Sequence, residues 1–159
     1  MPYQQNLTSL TTREAITDAL YRAIIGFDRN DIPMFMSACA GEDLVFEIHN
    51  GEQKELVSGT SVIRDTVLAT VGPMDTQHIT SNIRIDYKDG ADTASLTAHA
   101  QSQHWPPGKG REPDAPNYLV GGEYLLDLVR DDADGLWKIK YWVLKAIWTQ
   151  GDPSVMGRH

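Results

Sequence analysis

Two residues able to move a proton near neutral pH stand at places where a fold could bring them together. Asp28 follows Phe27 at the end of an apolar stretch, and His78 opens a segment of alternating polarity. An imidazole that a buried carboxylate orients and makes more basic is an effective general base. The residues alone leave that pairing open: Asp28 could equally cap a turn, and His78 could be a satisfied histidine at a strand edge. His104, just before Trp105 and a Pro/Gly-rich stretch, shares strand parity with Ala94, Leu96, Ala98 and Ala100. It could point into a pocket as a second acid, or be a hydrogen-bonded histidine at a strand end. His99 has the opposite parity and is expected to be structural. Glu47, Arg84, Glu123 and Asp127 are polar residues inside strand patterns, candidates for pairing at an interface.

Other chemistries find little support. His49, His78, His99, His104 and His159 show neither HExxH nor Cys/His spacing, so no metal is expected. There is no GxGxxG, Walker A or GxSxG pattern, and Gly108-Lys-Gly110 is too short for a phosphate loop, so no cofactor is expected. The single cysteine, Cys39, lies in the apolar run MFMSACA and reads as a small buried hydrophobe. One cysteine allows no intrachain disulfide, which fits a reducing, cytoplasmic setting. The first residues lack the basic and apolar regions of a signal peptide, and no run of about 18 apolar residues exists, so no membrane role is expected. With a net charge of −8 and a pI near 4.9, the chain offers no positive stripe for nucleic acid or an anionic membrane. Forty-one per cent hydrophobic residues over 159 suffice for one cored domain.

The elements that must position these residues follow from periodicity. Residues 1–10 read as a flexible arm, 11–151 as the domain and 152–159 as a tail. Thr11-x-x-Glu14 is a capping box, and Ala15, Ile16, Ala19, Leu20, Ala23 and Ile24 follow at helical spacing. Gly26 is expected to loosen this helix near its end. Asp31-Ile-Pro33 looks like a second helix start, with Met34, Phe35 and Ala38 on its apolar side. A strand over 44–48 turns at Asn50-Gly51 and pairs back through 55–57. A third helix is expected over 61–71, ended by Gly72-Pro73. Residues 78–87 alternate, with Ile79, Ser81, Ile83, Ile85 and Tyr87 on one face and Thr80, Asn82, Arg84 and Asp86 on the other. His78 has the parity of the polar face, so it reaches a pocket only near the strand start or if a bulge re-aims it. Strands over 93–104, 118–130 and 136–148 complete the sheet, with a long irregular connection between Trp105 and Asn117. The last strand is apolar on both faces: Trp137, Ile139, Tyr141, Val143 and Ile147 on one, Trp142, Leu144, Ala146 and Trp148 on the other. The tryptophans read as core. A second apolar face needs cover, most simply from another copy of the chain. Helices first and a mostly antiparallel sheet after them predict an α+β fold with helices packed on one sheet face.

The segments Gly26-Phe-Asp28-Arg-Asn-Asp31, Gln77-His78-Ile-Thr-Ser-Asn82-Ile-Arg-Ile85 and Asp134-Gly-Leu-Trp137-Lys-Ile139, in that order, resemble the SnoaL-like (NTF2-like) family. The resemblance spans about residues 11–151 and implies a cone-shaped fold, a strongly bent mixed sheet enclosing a pocket with the helices. Members include scytalone dehydratase and hexachlorocyclohexane dehydrochlorinase, in which an Asp–His dyad removes a proton next to a leaving group. Carried over by position, that dyad falls on Asp28 and His78. Where the dehydrochlorinase has a lysine one turn before its aspartate, this chain has Ala23, so lysine-assisted chloride departure is not expected. Tyr124, Tyr118 and His104 are approximate stand-ins for the dehydratase's polar side chains, and Phe27 and Trp105 would complete a substrate-binding wall.

The resemblance thus implies a cofactor-independent lyase or isomerase (dehydratase, cyclase or epimerase) acting on a small, largely apolar oxygenated molecule of polyketide or terpenoid type. The alternative is a non-catalytic ligand-binding or oligomerisation module, since this fold also serves as a dimeric adaptor. Either way the chain is expected to form a homo-oligomer, a dimer or a trimer.

Overall fold

The computed structural model describes residues 6–157. Residues 1–5 of the expected arm and 158–159 of the tail, His159 included, lie outside the described residues.

The first helix, α1 (Thr12–Arg29), starts where its capping box places it: the Glu14 N–H donates to Thr11 Oγ1 at 3.2 Å, and the Thr11 N–H to Glu14 Oε1 at 3.1 Å. Its apolar face buries Ile16, Ala19, Leu20, Ala23, Ile24 and Phe27. Gly26 does not loosen the helix, which runs unbroken to a left-handed stop at Asn30 (φ 51°). Gly26 is instead a crossing point, because a Cβ there would lie 2.8 Å from the Phe35 Cβ of the next helix. That helix, α2 (Ile32–Ser37), is capped by Asp31, whose Oδ1 accepts from the Met34 N–H at 3.0 Å; Met34, Phe35 and Ala38 are buried. The helical segment expected over 61–71 is three pieces: α3 (Thr60–Ile63), a π-helical turn (Arg64–Leu68) and α4 (Ala69–Val71).

Six strands form one curled sheet: β1 (Val45–Asn50), β2 (Gln53–Ser58), β3 (Asp75–Asp86), β4 (Thr93–Trp105), β5 (Tyr118–Arg130) and β6 (Trp137–Gly151). Their order is β2-β1-β6-β5-β4-β3, with β1 parallel to β6 and every other pair antiparallel. The helices pack on its concave face, and the fold is the α+β arrangement expected.

Three β-bulges decide which residues face inward. In β3, Asn82 at φ 54° inserts one extra residue between Ser81 and Arg84. Asn is among the few non-glycine residues that adopt this conformation readily, and its Nδ2 lies 2.8 Å from His99 Nδ1. Before the bulge Thr76, His78 and Thr80 turn inward; after it Ile83 and Ile85 do, packing on the core. The expected single face therefore breaks, and Ile79 is 58% exposed. In β6, Lys140 is the extra residue between Ile139 and Tyr141, so Trp137 and Ile139 share the inner face with Trp142, Leu144 and Ala146 rather than with Tyr141 and Val143. A third bulge at Ile147 leaves Ile147 and Trp148 on the outer face, where Trp148 lies over Gly121.

One buried cation ties the layers together. Arg22, on the apolar face of α1, donates from Nη1 to Ser37 O (2.6 Å) and from Nη2 to Trp137 O (2.6 Å), while its Nε meets Asp18 at 3.2 Å. Burial lowers its pKa, and Asp18 opposes that. Cys39 is buried beside the bridge to Ile139, its Sγ donating to Phe35 O at 3.3 Å. Among the described residues no helix is long and apolar enough to cross a membrane.

Candidate active site

At one end of the domain the sheet curls away from the helices and leaves a cavity of about 630 Å³. Phe27, Val67 and Val71 roof it, and the inward residues of five strands wall it, from Phe46 and Ile48 on β1 to His78 on β3. Exposed Gln53, Lys54 and Glu55 stand at its rim, with Pro153 and Met156 from a 3₁₀ turn (Pro153–Met156) within the expected tail.

The last turn of α1 carries Asp28 onto β3. His78 Nδ1 lies 2.6 Å from Asp28 Oδ1, the His78 backbone N–H donates to Oδ2 at 2.9 Å, and Thr76 Oγ1 donates to Oδ1 at 2.9 Å. One carboxylate thus takes three hydrogen bonds from a single strand and fixes that strand to the helix. A carboxylate only accepts, so the imidazole places its proton on Nδ1, and in the neutral ring Nε2 keeps a free lone pair. Phe27 stacks on the ring, centroids 5.4 Å apart and planes 22° apart, which leaves the imidazole little freedom to turn. The His78 side chain is 8% exposed and that of Asp28 19%. The bulge at Asn82 is what aims His78 inward while keeping the isoleucines behind it in the core.

His104 also lies in the cavity wall, its ring edge-on to His78 at 5.7 Å. Its Nδ1 is 3.0 Å from the Tyr118 carbonyl, which can only accept, so Nε2 is again unprotonated. Burial pulls the His104 pKa down to about 4, the Tyr118 hydrogen bond opposing and nearby His78 adding to the fall. His104 thus both reaches the cavity wall and is hydrogen-bonded at the strand end, and burial disfavours its charged form.

Tyr124 is buried in the wall, and its phenol is held well above its ordinary pKa by burial and then by the charge of Asp28. Tyr118 lines the cavity too, and its hydroxyl accepts from Asn50 Nδ2 at 3.2 Å. Trp105 does not line it: it follows His104 on β4 and so leaves from the other face of the strand. Trp142, read from sequence as core, does line the cavity; its Nε1 is shut off from solvent and has no acceptor among the described residues. Sequence reasoning also missed Thr76, two residues before His78 and of the same parity, and Ser102, which pairs with His78 across β3 and β4. The thiol of Cys39, outside this wall, is pushed up to about 12 by burial.

The SnoaL-like domain family matches residues 8–143. "Terrestric acid biosynthesis cluster protein E" of Penicillium crustosum is 41% identical over 150 residues, 94% of this chain and 92% of that protein. Among solved structures, a protein provisionally assigned as a scytalone dehydratase from Novosphingobium aromaticivorans is 21% identical with a TM-score of 0.69, over 88% of this chain and 87% of that one. Hexachlorocyclohexane dehydrochlorinase from Novosphingobium barchaimii is 18% identical with a TM-score of 0.67, over 91% and 92%. At these identities the two structures establish the fold alone. The family match and the Penicillium relative establish the family: the chain belongs to the SnoaL-like family.

Proposed function

We propose that this SnoaL-like chain is a cofactor-independent lyase or isomerase of secondary metabolism that works by proton abstraction on a small, largely apolar oxygenated molecule. The observation that supports it is the 2.6 Å contact between Asp28 and His78 at the wall of an otherwise mostly apolar cavity. His78 Nε2 takes a proton from carbon. Asp28 holds the Nδ1–H throughout and stabilises the imidazolium that forms. Phe27 keeps the ring in plane, and the apolar walls exclude water, which strengthens both interactions. The 41% identical relative belongs to a biosynthesis cluster, which supports a secondary-metabolite substrate.

The test is hydrogen–deuterium exchange at the α-carbons of 2-tetralone in D₂O, followed by NMR. The folded chain accelerates exchange, and His78→Gln removes about 10²–10⁴-fold of that rate. Asp28→Asn lowers it as well, because an amide cannot stabilise the imidazolium. A folded His78→Gln variant that exchanges at the unaltered rate refutes the reading. Tight binding of 2-tetralone with no exchange by the unaltered chain favours a non-catalytic ligand-binding module instead.

We further propose that the working form is a homo-oligomer, dimer or trimer, joined through the outer sheet face, where Ile79, Ile147 and Trp148 are exposed. Light scattering at micromolar concentration reads a multiple of 17.7 kDa if so; a monomeric mass overturns it.

A further inference from the structure

The two oxygens of Asp28 divide their work. Oδ2 accepts the His78 backbone N–H at 2.9 Å, a donor that every residue except proline supplies. Oδ1 meets His78 Nδ1 at 2.6 Å and accepts from Thr76 Oγ1 at 2.9 Å, so the oxygen that faces the imidazole is the one Thr76 also holds. The terminal torsion of an aspartate is broad and soft, so its partners decide where the oxygens point. The Asp28 side chain is partly exposed, and water competes for any lone pair left open. Thr76 is itself well fixed. It pairs with His104 in the register of β3 and β4, and its branched Cβ restricts its rotamers. Beside it the Asp75 carboxylate accepts the backbone N–H groups of Gly108 at 3.2 Å and Gly110 at 2.9 Å, which ties the start of β3 to the long connection after β4.

We propose that Thr76 is a positioning residue for proton abstraction, its hydroxyl holding Asp28 Oδ1 in line with the His78 Nδ1–H. This rests on the acid–base reading of Asp28 and His78 above and adds the residue that aims the pair. Thr76 does not line the cavity, so it acts through Asp28 and not on a ligand. When a proton arrives on His78 Nε2, the positive charge of the imidazolium must meet a negative oxygen already in place, because a carboxylate that first has to turn stabilises it less. A side chain of the same shape without the hydroxyl leaves Oδ1 one donor short, and the carboxylate turns toward water. Serine lacks the methyl group but keeps the donor.

The experiment compares Thr76→Val and Thr76→Ser with the unaltered chain by two readouts. One is exchange on saturating 2-tetralone in D₂O. The other is the low-field proton NMR resonance of the His78 Nδ1–H in the ligand-free chain labelled with ¹⁵N-histidine, assigned by its loss in His78→Gln. Thr76→Val lowers exchange about tenfold while the Kd of 2-tetralone stays within about twofold. Its resonance moves upfield, because the bond from Nδ1–H to Oδ1 lengthens. Thr76→Ser restores both the rate and the resonance. Thr76→Ala carries the same expectation as Thr76→Val and decides the matter if Thr76→Val does not fold. A resonance that stays in place or moves downfield in the folded variant without a hydroxyl overturns the proposal, and so does a folded Thr76→Ser that behaves like Thr76→Val. Absence of exchange by the unaltered chain, together with an upfield shift that serine reverses, faults the proton-abstraction reading and supports the hold of Thr76 on Asp28.

Discussion

The same three strands, β4, β5 and β6, do opposite things at their two ends. At the closed end Leu96, Leu126, Leu128 and Ile139 pack against α1, each at most 2% exposed, and the charged group among them, Arg22, has hydrogen-bond partners for all three of its nitrogens. At the open end Ser102, His104, Tyr124 and Trp142 line the cavity, and Trp142 Nε1 has no hydrogen-bond partner among the described residues. The closed end follows the usual rule that buried polar groups are satisfied. The open end departs from it at the Trp142 Nε1–H. The bulges at Asn82 and Lys140 lie on the border between the two regimes and let one strand serve both.

The sharpest way to break this comparison is to delete Asn82. Without the extra residue one half of β3 must turn over, exposing either Ile83 and Ile85 or the His78 side chain. We expect a loss of about 2–4 kcal/mol in unfolding free energy, the lower end of the range because both isoleucines are only partly buried, together with loss of exchange on 2-tetralone. A deletion variant with unaltered melting temperature and rate shows that the bulge does not separate the regions.

A somewhat smaller effect sharpens it. The folded pKa of His104, about 4, lies below the ordinary 6.5, so the unfolded chain takes up a proton that the folded one rejects. The associated stability is whole above about pH 6.5 and drains away as pH falls toward 4, amounting to about 2–3 kcal/mol. His104→Gln, which keeps a donor for the Tyr118 carbonyl, should flatten that loss, read as urea unfolding at pH 7.5 against pH 4.5. Identical acid sensitivity in the two proteins places the loss elsewhere.

Much of the closed end was legible in the chain itself. The Thr11–Glu14 box and the Asp31 cap are local signals, and so is the alternation of β4 from Ala94 to Ala100. The open end was less so, for a physical reason: parity counting assumes an unbroken ladder, and each bulge inverts it. Trp137 and Ile139 were grouped with Tyr141 and Val143 because Lys140 is an extra residue, and Ile79 with Ile83 and Ile85 because Asn82 is. The Asn82 signal was available, an asparagine inside an isoleucine-rich strand, where an αL conformation is cheap. The meeting of Asp28 with His78 joins residues 50 apart, and only the family resemblance suggested it before the geometry put them 2.6 Å apart. Arg22 gave no sign, because a long cation on an apolar helix face reads as solvated until the carbonyls of Ser37 and Trp137 are placed around it.

The burial of Cys39 has a practical consequence. Thiols react as thiolates, and with a pKa of about 12 only about one molecule in 10⁴ carries that form at pH 8. The chain has no second cysteine. Toward maleimides, iodoacetamide and mild oxidants the native protein is therefore close to silent, and it can be handled without a reductant. A single thiol introduced by Lys54→Cys, at the exposed rim of the cavity, becomes the one addressable point on the molecule. A fluorophore attached there would report occupancy of the chamber from a clean background, in the otherwise unaltered sequence.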